Sequence, residues 1–478
     1  MKLNTAWRLI NPLLIIAMPF ISTLVQASEQ ELTTLAAPLY QLEQTIQYQR
    51  LDNGLQLRLL PLRNKQSVAL ASQFGVGSRN EAVGQTGYAH LFEHMLFKGS
   101  KNAPGDSYSQ TMSSLSGKFN ASTFFDYTNY YVNVPSRALQ LALWLEADRF
   151  IRPALTEQTV KNQQQTVLEE MATTIDNQPY IRPAMEFLLS QVKGSPYGHA
   201  VIGSKTDIEA ATTESLTQFH QTFYRPDTLQ LSIVGQVPSQ TLTWVKAYFA
   251  DWPMPSNTPQ GFHPLQVNRQ SVHHEIIDAR GPWPGLLLAW HTVGRSHQDA
   301  AAISLVESYL LQSRSSVLAK LSLKEPKQLL YYSLPLTMEH FGVMNLVMVP
   351  RANTALDQLT QQITAIIDDL AADGLTSEQL KQLKLRSLQQ QLVKLDNDIS
   401  LATTLSATLK QDRFTPLSGP WERIKAVTND DIIRVTRQYL QPGVVRLDLL
   451  PPWYIRWSKA VLEWLPTGWT DSLEEQVL

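Results

Sequence analysis

The sequence predicts an α+β fold built as two similar units, each a mixed sheet with helices packed on it. Three observations predict it. The chain has 478 residues, room for two or three domains at roughly 150 residues each. Its first half runs strands, a short helix, more strands, long helices and a closing strand, and past residue 270 that order starts again. Hydrophobic residues make up 43% and charged residues 17%, so each unit can bury a core of its own.

The elements follow in order. Lys2 and Arg8, the apolar "LLIIAMPFI" (13–21) and "VQA" (25–27) form a secretory signal pattern over residues 1–27, predicting cleavage after Ala27 and export to the periplasm. Pro12, Pro19 and the shortness of the apolar run make an uncleaved anchor the weaker reading. A polar lead-in precedes "YQRLDNGLQLRLLPL" (48–62), a hairpin turning at Asp52, Asn53 and Gly54. "SVALASQFGVGSRNE" (67–81) begins as a strand, and helical periodicity runs from Gly87 to Phe97. A β-rich stretch (119–135), helices near 137–150 and 157–175, and the strand "LQLSIVGQV" (229–237) complete a first unit over 45–255. The proline-rich, polar 252–270 marks a boundary. A second unit over 270–452 then has strands at 285–294, 342–350 and 444–452 and helices near 299–311, 354–371 and 377–410.

Composition excludes several functions. A net charge of −2 offers no field for nucleic acid. The chain has no cysteine, hence no disulfide, thiolate metal site or thiol nucleophile.

The chemistry concentrates in "TGYAHLFEHMLFKGS" (86–100). On a helix His90 and His94 share a face one turn apart, and neutral imidazoles there can bind one ion. Glu93 lies at the edge of that face, where it can reach a metal-bound water as a base. The bland alternative is an amphipathic helix with a hydrogen-bonded histidine pair. A catalytic zinc needs a third protein ligand, and "QQQTVLEEMATTI" (163–175) offers Glu169 and Glu170, unless these are an ordinary exposed acidic pair. The second unit has "DAAAISLVESYL" in place of the histidines, so only the first unit can be the metal half.

HxxEH followed by a glutamate 76 residues after His94 resembles the pitrilysin/insulinase family of inverted-motif zinc proteases. "GVGSRNE" (75–81), "FNASTFFDYTNYYVNVP" (119–135), "FYRPDTLQLSIVG" (223–235) and "VTNDDIIRVTRQYLQP" (427–442) are similar to it as well, so the likeness covers roughly residues 45–450. The resemblance implies two homologous α/β-sandwich-like units of the pitrilysin and mitochondrial processing peptidase type, with one Zn2+ per chain on His90, His94 and Glu170. It implies Glu93 as general base on zinc-bound water in an endopeptidase acting on peptides or unfolded polypeptides. It further implies a substrate strand added along Phe119, Asn120, Ala121, Ser122 and Thr123, which by themselves read as an ordinary strand.

Two positions depart from the family pattern. Gln163 stands where the family commonly has a supporting glutamate, seven residues before the third ligand. Lys324 and Tyr331 align with a substrate-holding arginine and tyrosine, so the planar fork of arginine is lost. These departures keep open a noncatalytic binding or scaffolding subunit, against which the retained His90, Glu93, His94 and Glu170 speak. A purely structural metal module would leave Glu93 without a task. Two units supply half of the chamber that the longest family members build, which implies a dimer, of identical chains or with a related subunit. In the tail (453–478) Trp457, Val461 and Trp464 fall at helical spacing. A short helix packed on protein is favoured there over membrane contact.

Overall fold

The computed structural model describes residues 29–254, 270–311, 316–319, 329–333, 336–350, 356–407 and 415–455. The expectations for 1–27, Lys324, most of the 252–270 boundary and the tail beyond 455 lie outside them. The polar lead-in folds as two short helices, α1 (Glu29–Leu35) and α2 (Ala37–Thr45). The hairpin follows as β1 (Gln47–Arg50) and β2 (Gln56–Pro61), with Gly54 in the left-handed conformation its turn requires. Next come β3 (Ser67–Phe74), α3 (Tyr88–Met95), β4 (Lys118–Thr123), β5 (Thr128–Pro135), α4 (Leu139–Ile151), α5 (Glu157–Met171), α6 (Thr213–Phe223) and β6 (Leu229–Gly235). The second half contains β7 (Val272–Ile277), β8 (Gly285–Val293), α7 (Ala300–Leu310), β9 (Leu329–Tyr332), β10 (Leu336–Thr337) and β11 (Phe341–Pro350). It ends with α8 (Leu356–Asp373), α9 (Ser377–Asp396), α10 (Asp398–Ser406) and β12 (Val445–Leu450).

The first sheet has the order β1-β2-β6-β3-β5-β4 and the second β10-β11-β8-β12-β7, with β9 beside β11. Five strands of each match one for one along the path β2-β6-β3-β5-β4 and β7-β12-β8-β11-β10. β2 runs parallel to β6 as β7 does to β12, and every other step of the shared path is antiparallel. Both are open mixed sheets packed by helices, so the duplication read from the sequence is present in the topology.

β3 is buried on both faces, and its side chains show why. Val68, Leu70 and Phe74 face the core under α3 and α4, whereas Ala69 and Ala71 belong to the core of the second half. Their small side chains let α10 lie directly against the first sheet, with Leu401, Ala402 and Leu405 in that core. The units therefore interlock through a helix from the second half and through α1, α2 and the residue joining them, which supply Leu32, Leu39 and Ala36. The single helix expected over 377–410 is two, because Asn397 is extended (φ −103°, ψ 119°) and its side chain accepts the N–H of Ser400 as a new cap. Asp126 adds a polar tie between halves: it accepts from Tyr197 Oη (2.7 Å) and the Glu339 N–H (2.8 Å) and pairs with Arg79 and Arg295. Among the described residues, no helix is long and apolar enough to cross a membrane.

Candidate active site

α3 is held at its N-terminus by backbone and by one acid. Gly87, at φ 89°, starts the helix, and Gly203 lies so close that a Cβ on it would stand 2.5 Å from the Cα of Gly87. Glu81 accepts the N–H groups of Gly87 and Ala89, each at 2.7 Å, and so satisfies donors the helix leaves open. Burial pushes the Glu81 carboxyl well up, and those two hydrogen bonds oppose the shift. Tyr88, Ala89, Leu91, Phe92 and Met95 are buried, which fixes the rotation of the helix about its axis.

That rotation turns His90 and His94 toward α5. Their rings meet edge to face, centroids 4.8 Å apart. Glu170 Oε2 lies 3.7 Å from His90 Nε2 and 3.5 Å from His94 Nε2. One ligand atom from each residue falls within 4.8 Å of the others. Burial, with His94 nearby, lowers the His90 pKa to about 4, so its imidazole is neutral at neutral pH. Glu170 is held below the usual carboxylate range by its hydrogen bond from His94 and by both imidazoles, against the effect of burial. Glu169, the other sequence candidate, is not part of the cluster.

Glu93 is buried one position before His94, and its Oε2 accepts the Thr123 hydroxyl at 2.5 Å. Burial raises its pKa, while the Thr123 hydrogen bond, His94 and Arg149 pull it down. Arg149 is itself fully buried, paired with Glu146 at 2.9 Å and surrounded by the rings of Phe97, Tyr108, Tyr130 and Phe150 at 4.5–4.8 Å. A carboxylate raised by burial and tethered at one oxygen has the properties of a general base.

Thr123 ends β4, the edge strand of the first sheet. The Phe124 N–H bonds to the Tyr127 carbonyl across the turn to β5. By strand alternation, Phe119, Ala121 and Thr123 turn their main-chain groups to the open edge. Ala121 N–H is met there by the Oδ1 of Asn120, 2.9 Å away.

Comparison with known proteins agrees with this geometry. A model of "Insulinase (Peptidase family M16)" matches residues 60–203, and one of the "Peptidase M16 inactive domain" matches 210–386. The chain belongs to the insulinase (M16) peptidase family. Its two M16 halves are a catalytic one and an inactive one, and the His90, His94 and Glu170 cluster lies in the catalytic half. Among relatives, it is 26% identical to the zinc protease PqqE of Helicobacter pylori, over 82% of this chain and 89% of that one. It is 25% identical to the zinc protease YmxG of Bacillus subtilis, over 79% and 90%. The crystal structure of a protease from Helicobacter pylori has the same fold, with TM-score 0.78 and 23% identity over 85% of this chain and 99% of that one. The periplasmic protease PqqL of Escherichia coli aligns with TM-score 0.71 and 19% identity, over 90% of this chain and 50% of its own.

Against that M16 pattern, Gln163 is buried on α5 two turns before Glu170 and makes no hydrogen bond among the described residues. The Nδ1 of His90, likewise buried, has no hydrogen-bond partner among the described residues. Tyr331 lies on β9, half-buried against the core of the second half, and makes no hydrogen bond or ring contact among the described residues. Sequence reasoning missed the capping role of Glu81, whose signal was a lone acid six residues before a helix start, and the aromatic cage of Arg149, which left no signal.

Proposed function

We propose that this chain is a zinc-dependent endopeptidase of the periplasm, with His90, His94 and Glu170 holding the ion and Glu93 as general base. One observation carries the reading: two imidazole nitrogens and a carboxylate oxygen converge within 4.8 Å beside a buried, raised-pKa glutamate. The donor set fits zinc. Ligands about 2.0–2.1 Å from a tetrahedral ion stand about 3.4 Å apart, close to the 3.5 and 3.7 Å separations here. Zinc, when bound, lowers the pKa of water and polarises the scissile carbonyl. Glu93 takes the proton of the attacking water at Oε1, the oxygen not engaged by Thr123, and passes it to the leaving amine. The open edge of β4 holds the peptide as an added strand, with Asn120 releasing the Ala121 N–H as it enters. Main-chain pairing selects extended peptides over folded proteins.

Residues 1–27 and the likeness to periplasmic PqqL support export. That likeness spans only half of the PqqL chain, which supports a dimer as the working state. Gln163 supports the site as a neutral amide, and Lys324 with Tyr331 contacts substrate. Metal analysis of the purified protein, with peptide digestion before and after chelation, tests the proposal. Near-stoichiometric zinc and chelator-sensitive cleavage are expected; metal-free cleavage would refute it.

A further inference from the structure

We infer that the cavity behind β4 is a side-chain subsite selecting an acidic residue, glutamate above all, at one position of the bound peptide. The inference rests on the reading of β4 as the edge that receives substrate. The cavity has a volume of about 430 Å³ and lies between the first sheet, through Gln73, Ser122, Asn129 and Tyr131, and the α9–α10 corner, through Lys394 and Thr403.

Its position follows from strand alternation. Phe119 packs on Phe97 and Tyr108, and Thr123 reaches Glu93, so the odd residues of β4 face the metal cluster. Ser122 faces the other way. It stands opposite Asn129, which stands opposite Gln73, so these three floor the cavity in one row across the sheet. A peptide strand laid along β4 sends alternate side chains to the two faces, and the one abreast of Ser122 enters this cavity. Ser122 adjoins Thr123, so that peptide residue is close to the bond being cut.

The chemistry of the lining points to an anion. Asn129 is 7% exposed, and its Oδ1 has no hydrogen-bond partner among the described residues. The oxygen is closed off, so the amide's Nδ2 is the end left to donate into the cavity. Among the described residues, Lys394, in the last turn of α9, is the one lining residue with a full charge, and it forms no ion pair there. Among the described residues no aspartate or glutamate lines the cavity. The nearby Asp398 is engaged with Lys65 at 2.8 Å and Ser67 at 3.2 Å. A glutamate carboxylate would accept from both Asn129 and Lys394, and a lysine side chain would meet a positive charge.

Peptides identical except for Glu, Ala or Lys, scanned one position at a time across the cut site, test this with the zinc-loaded mature chain. Wild type should show one position at which kcat/KM for Glu exceeds that for Lys by about fivefold, the scale of an exposed ion pair. Lys394→Glu should reverse the order at that same position, and Asn129→Leu should lower the Glu-to-Ala ratio there. Cleavage with no positional charge preference, or a Glu-to-Lys ratio that Lys394→Glu leaves unmoved, overturns the subsite while the endopeptidase reading stands. Absence of any cleavage overturns that reading and the subsite with it.

Discussion

At the scale of single residues, the unpaired Nδ1 of His90 is the feature most open to improvement. A ligating histidine ordinarily donates its second nitrogen to an acceptor that fixes the tautomer, and among the described residues none meets this one. Gln163, buried two turns before Glu170, brings an amide where a carboxylate would add negative charge. Gln163→Glu should tighten zinc binding or raise turnover by about tenfold, the lower end of such effects. Zinc titration against a competing chelator, with kcat/KM on one peptide, measures both, and no change in either would remove Gln163 from the site. Much of this scale was legible in the sequence. His90, Glu93 and His94 sit within five positions, so helix geometry alone brings them to one face. The choice of Glu170 over Glu169 needed the resemblance, because adjacent residues differ only in the rotation of α5, and a motif does not state that rotation.

Helices and strands set how firmly those residues are held. Glu81 satisfies the first N–H groups of α3, so Glu81→Ala should loosen that helix end by about 1 kcal/mol, within the usual range for a lost cap. Zinc affinity should fall by about tenfold because His90 lies in the first turn. An unchanged zinc Kd in the same chelator competition would show that the cap does not position the site. Asp148 on α4 pins the loop after α3. It accepts from Ser100 Oγ (2.6 Å), from the N–H (2.9 Å) and Nδ2 (2.7 Å) of Asn102, and from Arg152. Burial alone would raise its pKa, and these bonds more than reverse that, so it lies below the ordinary value. Its stabilisation is therefore complete above about pH 3.9 and is lost as pH falls through the depressed value. Asp148→Asn should cost about 1–3 kcal/mol at pH 7 by urea unfolding. The gap to wild type should narrow in that acid range, and a gap independent of pH would contradict the role. Most elements were legible from period and turn residues, such as Gly54 in the first hairpin. The break at Asn397 was not, because the helical apolar spacing continues through it and only the cap geometry reveals the stop.

For the whole molecule, the repeat of strand order was legible and the interlock was not. Nothing local marks Ala69 and Ala71 as the floor for a helix more than three hundred residues later, since small residues in a strand are equally compatible with a tight turn or a close neighbour. The interlock gives the two halves a shared core, and among the described residues β4 is an open sheet edge with no opposing wall. A dimer would supply the opposing wall. Sedimentation of the mature chain should therefore give a dimer, and digestion should proceed on unstructured peptides while folded proteins resist. A strictly monomeric chain with full peptidase activity would contradict this arrangement.

The central claim is that a zinc-binding triad and a separate base divide the chemistry, and one paired measurement tests it most directly. Zinc content and kcat/KM are determined side by side for wild type and Glu93→Gln. The triad does not include Glu93, so the variant should retain near-stoichiometric zinc while turnover falls by about 10²–10⁴-fold. A Glu93→Gln chain that cleaves peptide at the wild-type rate, with its zinc in place, would contradict the mechanism.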